Sequence, residues 1–435
     1  MFYFFFPLQV QMIRKEGYPA EAHVVVTEDG YLLTMHRIPG KPGSPAIFLQ
    51  HGLLGSSADW VILGKGKALA FLLADQGYDV WFGNFRGNTY SRAHVSMSSS
   101  DPEFWDFSWH ESGIYDLPSM ISYIAEMKQS HLKAYIGFSM GTTCFYVMSS
   151  ERPDIAKLLQ SSYSLAPVAF MKHVRTPLRH LAPFATNSVV KFLPQNFVVK
   201  FFAKYLCLLD FLEEKICANS MFAIVGFDSA QFNYTLLPAI LGHTPAGTSA
   251  KTFIHYAQEI NSGYFRQYDY GSKGNMRIYS STEPPKYNLS NISTPLALFC
   301  GPNDWLSSPT DVMKLNAELS HPPVIYKVPF RKFNHIDFLW AKDAPKLVYA
   351  KLININNHVN TIPTKREEGF SDMGKGQGRA LRKLSRNRIF QVRNHKIRTM
   401  LGVGRTIWSL ENTRTDRTTI EETYQSAYII VRSVV

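Results

Sequence analysis

Cysteine is scarce in this chain: four in 435 residues, at Cys144, Cys207, Cys217 and Cys300. They are too few and too scattered for a disulfide framework or a zinc site, so each is expected to serve as a small buried apolar residue. A leader with the usual features is also missing. Residues 1–10 are apolar and aromatic, but no basic segment precedes them, Pro7 interrupts them and no small-residue cleavage site follows. Residues 1–11 therefore read as a degenerate or truncated signal segment, far too short to span a bilayer, and no transmembrane segment is expected. Strong charge is missing from most of the chain as well. Of the formal +12, residues 356–435 carry 15 basic and 7 acidic residues, or +8, which leaves +4 for the rest. The basicity thus belongs to a tail, Gly- and Arg-rich around residues 374–398, that reads as a disordered appendage or a gene-model artefact. Only that tail would support an anionic-surface or nucleic-acid module, and no nucleic-acid partner is expected.

What remains is a folded chain: 45% hydrophobic and 14% aromatic residues, with length enough for a large core and an inserted second unit. Its organising stretch is Ala134-Tyr-Ile-Gly-Phe-Ser-Met-Gly-Thr-Thr143, where a short apolar run passes into a helix-forming one through Gly-x-Ser-x-Gly. A strand that ends and a helix that begins within a few residues force Ser139 into strained geometry. Gly137 and Gly141 remove side chains that would collide there. The hydroxyl is left at the tip, and the Met140 amide faces the place where charge develops on an attacked carbonyl.

In chain order, residues 23–27 and 32–38 read as a hairpin, and residues 45–50 as a short apolar strand buried on both faces. The Gly-containing turn His51-Gly-Leu-Leu-Gly55 follows it and can present the Leu53 amide as the second oxyanion donor. Residues 65–76 read as a helix, 78–82 as a strand, 116–127 and 141–150 as helices. The aromatic stripe at 104–109 reads as core packing under a loop. Strand and helix alternate as in a mostly parallel sheet. From residue 170 to 290 that rhythm stops, and apolar residues recur at helical spacings, broken by Pro177, Pro183 and Pro194: an inserted, mainly helical cap. Within it, residues 201–225 are nearly all apolar apart from Lys204, Asp210, Glu213, Glu214 and Lys215, which suits a lid over an apolar site.

The sheet resumes at residues 295–300. Asp304 follows in a turn, where an acid can orient an imidazole, and His335 follows the next strand, residues 324–328. Ser139, Asp304, His335 is the chain order of an α/β-hydrolase triad. Asp59 and Asp337 are rival acids and read as surface or capping groups. The expected division is residues 12–169 and 291–355 for the two parts of the core, 170–290 for the cap, and 356–435 for the tail.

The chain resembles the acid lipase family of α/β-hydrolases over about residues 12–353. Gly17-Tyr-Pro19, Thr27-Glu-Asp-Gly-Tyr31, Gln50-His-Gly-Leu-Leu54, Gly77-Tyr-Asp-Val-Trp81, Gly83-Asn-Phe-Arg-Gly-Asn88, Tyr115-Asp-Leu-Pro118, Gly226-Phe-Asp228, Pro245-Ala-Gly-Thr-Ser249 and Asn334-His-Ile-Asp-Phe338 carry the resemblance. It implies hydrolysis of neutral-lipid esters at a lipid–water interface, a lidded cap and a secreted or lysosomal setting, with no metal and no cofactor. Asn233-Tyr-Thr, Asn288-Leu-Ser and Asn291-Ile-Ser are glycosylation acceptors in such a setting. Two departures concern the cap and the elbow. Phe138 and Met140 stand where the family has His and Gln. Cys217 matches one partner of the family's cap disulfide, but Val225 replaces the other, leaving Cys207 as a substitute. The rival function is a non-catalytic lipid-binding or storage protein on the same scaffold.

Overall fold

The computed structural model describes residues 9–184 and 221–358. The chain divides into one unit, Met1–Ile362, and a second, Pro363–Val435, which lies wholly outside the described residues. Of the basic tail, residues 359–435 also lie outside the described residues, as do residues 201–220 of the apolar segment with Cys207 and Cys217, while Asn356–His358 end the helix Ala350–His358.

Nine strands form one sheet among the described residues: β1 Glu21–Val26, β2 Tyr31–Ile38, β3 Ala46–Gln50, β4 Asp79–Phe82, β5 Ala93–His94, β6 Ala134–Phe138, β7 Ser162–Leu165, β8 Leu296–Cys300 and β9 Val324–Lys327. Their order is β1-β2-β4-β3-β6-β7-β8-β9, with β5 on β2. From β4 to β9 every pairing is parallel, whereas β1, β2 and β5 add an antiparallel end.

Every residue of β3, β4, β6, β7 and β8 is buried. Successive side chains of a strand point to opposite faces, and here both faces are core. Ala46 and Phe48 enter one apolar cluster while Ile47 and Leu49 enter the other. The same split sends Leu296 and Leu298 one way and Ala297 and Phe299 the other. A continuous apolar run is what such a sheet requires. The end strands differ: Val24 and Val26 of β1 and Val324 of β9 are more than half exposed.

The helices depart from the sequence reading mainly at their starts. The expected helix from residue 65 begins only at Leu69, because Gly64 and Gly66 hold left-handed turns at φ 77° and 76°. The helix expected from residue 116 starts earlier: Trp109–Glu111 and a widened turn, Ser112–Asp116, lead into Leu117–Lys128. Ser108 and Glu111 form the capping box at that start. The stripe at 104–109 is buried as core, with Phe104 and Trp109 fully enclosed.

Between β7 and β8 the described residues form the helices Leu237–His243, Ala250–Ser262 and Ser272–Tyr279 with short 3-10 turns, and no strand. Ser249 caps the second of these by accepting the Thr252 N–H, and Gly263 at φ 74° ends it. Cys144 and Cys300 are buried free thiols.

Candidate active site

Parallel strands deliver their following loops to one edge of a sheet, and ligands bind there where the strand order reverses. That reversal falls at β3, which has β4 on one side and β6 on the other. The turn after β3, the elbow after β6 and the loops after β8 and β9 all open on this edge.

Ser139 sits between β6 and the helix Met140–Glu151 at φ 51°, ψ −118°, a conformation that L-residues avoid. The elbow is held by its neighbours. Ser139 N–H donates to Leu165 O at 3.0 Å, at the end of β7. Thr142 Oγ1 donates to Ser139 O at 2.6 Å and accepts Val168 N–H at 2.9 Å. Neither flanking glycine has positive φ; each is needed for close approach. A Cβ on Gly141 would stand 2.5 Å from Gln50 O, and one on Gly137 2.9 Å from the Gly141 carbonyl carbon.

His335 Nε2 lies 2.8 Å from Ser139 Oγ, and its Nδ1 lies 2.8 and 3.0 Å from the two carboxylate oxygens of Asp304. All three residues are buried, Ser139 at 8% exposure being the most open. Asp304 Oδ1 also accepts the N–H groups of Leu306 and Ser307 at 2.9 and 2.7 Å. A carboxylate so placed fixes the imidazole with its proton on Nδ1, leaving Nε2 to accept from the serine hydroxyl. The Phe138 ring lies against His335, centroids 5.0 Å apart.

The turn after β3 is seated against this line. A Cβ on Gly52 would touch Ser139 Cβ at 3.0 Å and the Phe138 ring at 2.9 Å. His51 fixes the turn: its Nε2 accepts Phe85 N–H at 3.1 Å, so the proton is on Nδ1, which donates to Gly52 O at 2.7 Å. Burial lowers its pKa to about 4, and the ring is neutral. Among the described residues the Leu53 amide has no protein acceptor, and the Met140 amide opens a helix, where no intrahelical acceptor exists. Two free N–H groups beside a strained serine form an arrangement able to hold an oxyanion. No group of three or more His, Cys, Asp or Glu among the described residues is placed to hold a metal ion.

Residues 9–64 match a family model described as a partial alpha/beta-hydrolase lipase region, and residues 45–342 one described as the alpha/beta hydrolase fold. The chain is 42% identical over 347 residues to Lipase 1 of Drosophila melanogaster, across 79% of this chain and 78% of that protein. It is 41% identical over 362 residues to gastric triacylglycerol lipase of Homo sapiens, across 79% and 89%. The chain belongs to the acid lipase family of α/β-hydrolases.

In this α/β-hydrolase the two rival acids take the capping alternative of the sequence expectation and not the surface one. Asp59 and Asp337 are not surface groups: they are 4% and 1% exposed. Asp59 is a capping acid, its Oδ2 accepting Ser56 N–H at 3.2 Å across the turn Ser57–Trp60. Asp337 opens the helix Asp337–Trp340, and its Oδ2 accepts Asn334 N–H at 2.7 Å. Capping chemistry is legible from local sequence, but the segments that cover these acids come from elsewhere in the chain. Sequence reasoning also missed His51 as the anchor of its turn. The one available signal was an imidazole placed between a buried strand and a glycine turn.

Proposed function

We propose that this lipase-family ester hydrolase cleaves fatty-acyl esters of neutral lipids, triglyceride or sterol ester, by acyl transfer to Ser139. His335 Nε2 takes the hydroxyl proton as the oxygen attacks the ester carbonyl, and Asp304 holds the imidazolium that results. The carbonyl oxygen, now an anion, is received by the Leu53 and Met140 amides, each worth on the order of 3 kcal/mol of barrier. His335 then returns the proton to the departing alcohol. Water, deprotonated in turn by His335, releases the fatty acid and restores Ser139.

The observation that carries this reading is the unbroken hydrogen-bonded line from Ser139 Oγ through His335 to Asp304. Lipid as substrate is supported by the relatives that are named lipases, at about 40% identity over most of the chain. We assign residues 170–290 to the cap and the apolar stretch from 201 to its lid, with 12–169 and 291–355 as the core. A secreted or lysosomal setting is supported by Asn288 and Asn291, both exposed as glycan acceptors must be.

Ser139→Ala and His335→Ala should each lower turnover of an emulsified triacylglycerol by roughly 10⁴-fold or more, with the melting curve unchanged. Serine-directed fluorophosphonate should label the wild type and not Ser139→Ala. A wild-type chain that takes no label would favour the lipid-binding or storage reading, and Ser139→Ala with full turnover would remove the triad.

A further inference from the structure

Behind the loop that carries His335 two carboxyls are buried, with no cation between them among the described residues. Asn334 Oδ1 accepts the N–H groups of Ile336 and Asp337 at 3.0 and 3.1 Å, while its Nδ2 donates to Gly226 O at 2.8 Å. Gly226 opens the segment Gly226-Phe-Asp228, which runs against both loops of the site. Asn303 Nδ2 donates to Phe227 O at 3.0 Å, and Trp305 N–H donates to Val225 O at 3.2 Å. A Cβ on Gly226, at φ 111°, would collide with Asn303 O.

This segment ends on Asp228, whose carboxyl interacts with that of Asp337. Each residue is 1% exposed. No N–H or O–H donor of another described residue reaches Asp228 Oδ2. A hydrogen bond between two carboxyls needs a proton of its own, because two carboxylates only accept. The surrounding charges do not replace it. Asp304 faces Asp337 and adds repulsion, His335 stands two residues away in the same loop, and Lys332, which attracts Asp228, is exposed. Burial, with Asp228 and Asp304 adding to it against the Asn334 N–H, pushes the Asp337 carboxyl up to about 9.

We propose that Asp228 and Asp337 are positioning residues that share one proton, and that this clip holds the His335 loop in line with Ser139 and Asp304. When the proton leaves to water or hydroxide, two adjacent buried carboxylates remain, and their repulsion drives residues 226–228 away from the loop. The role rests on the Ser139–His335–Asp304 reading. The sign of the pH effect follows from linkage. The folded pair keeps its proton from about pH 4, where an unfolded carboxyl ionises, up to its own raised value. Its stabilising contribution is complete below about pH 4 and is lost as pH rises through about 9.

The test uses the full chain and a soluble short-chain ester followed by acid release in a pH-stat. An amide keeps the shape of the protonated acid and cannot ionise. Asp337→Asn and Asp228→Asn should each keep at least a third of wild-type kcat at pH 6. Both should move the alkaline fall of kcat upward by at least one pH unit and flatten the decline of melting temperature between pH 6 and 9. Alkaline limbs and melting profiles that superimpose on wild type would overturn the clip. Should the variants not fold, wild-type protein labelled with ¹³C-aspartate supplies the second measurement. An isotope-shifted infrared band of a protonated carboxyl should persist at pH 8 and fade as pH rises through about 9, and its absence at pH 8 would overturn the proposal. Full turnover by Ser139→Ala would instead strike the triad, leaving the infrared and melting results to judge the shared proton separately.

Discussion

Asp116 and Asp337 are both buried acids beneath loops of the reactive edge, yet they are accommodated in opposite ways. Asp116 meets Arg86, whose Nε donates to Oδ1 at 2.7 Å and whose backbone N–H donates to Oδ2 at 3.1 Å. The other side of the same guanidinium reaches Asp29, at 2.5 and 2.9 Å, and its face lies 4.0 Å from the centre of the Tyr31 ring. One fork therefore ties the β1–β2 turn, the loop after β4 and the helix that starts near Asp116. Burial works against that charge, and Asp116 and Asp29 overcome it, raising the Arg86 pKa. Asp337 has no such partner among the described residues and meets Asp228 through a proton. The lesson is that a cation holds a buried acid against the upward push of burial on its pKa, whereas a shared proton gives a joint that pH can open.

Removing the cation should give the largest effect. Arg86→Met keeps most of the volume but leaves Asp116 wholly buried beside nothing positive, and breaking a buried pair from one side typically costs about 3–5 kcal/mol. Urea unfolding at pH 6 measures it, and a loss under 1 kcal/mol would show that the fork is not what holds these three elements. The pH at which the folded variant loses activity on the alkaline side should stay where it is in the wild type.

A smaller effect is expected when the charge stays and only the fork goes. Arg86→Lys retains a cation but cannot donate to both carboxylates with planar geometry, so on the order of 1–2 kcal/mol should be lost. If Lys costs as much as Met, geometry and not charge dominates the joint, and the contrast with Asp337 narrows to hydrogen bonding.

How much of this was readable in advance follows from what each signal depends on. The strands β3, β6 and β8 were legible because a strand buried on both faces must be continuously apolar. Ser139 and Asp304 were legible as candidates because each follows such a strand, and His335 because it follows the next strand in the chain order Ser, Asp, His. The hairpin was legible from Asp29-Gly30. Helix starts were less so: Gly64 and Gly66 carry turns whose local sequence resembles a flexible helix entry. The joints were not legible at all. Nothing near Asp337 signals that Asp228, in a distant segment, will close over it, and nothing near Arg86 signals that the β1–β2 turn will bring Asp29 to its second edge. Capping acids look alike in sequence whether water or another segment lies above them.

Asp59 offers the gentlest test of the comparison, since it is neither paired with a cation nor with a second acid. Its Oδ2 accepts Ser56 N–H, and its Oδ1 accepts the Thr244 hydroxyl at 3.3 Å. Burial raises its pKa to about 7, with those two donors holding it back. The stability such a group contributes is complete below about pH 4 and falls as pH rises through about 7. Asp59→Asn removes the titration while keeping an oxygen for Ser56. The variant should therefore gain on the wild type between pH 5 and pH 8, by about 2–3 kcal/mol, seen as a difference of several degrees in melting temperature. Above pH 8 the gap should stay constant, because both folded and unfolded wild type are then ionised at this site. A gap that does not change between pH 5 and 8 would mean that the Ser56 N–H and the Thr244 hydroxyl alone keep a buried carboxylate charged here, and that a proton is needed only where two acids meet.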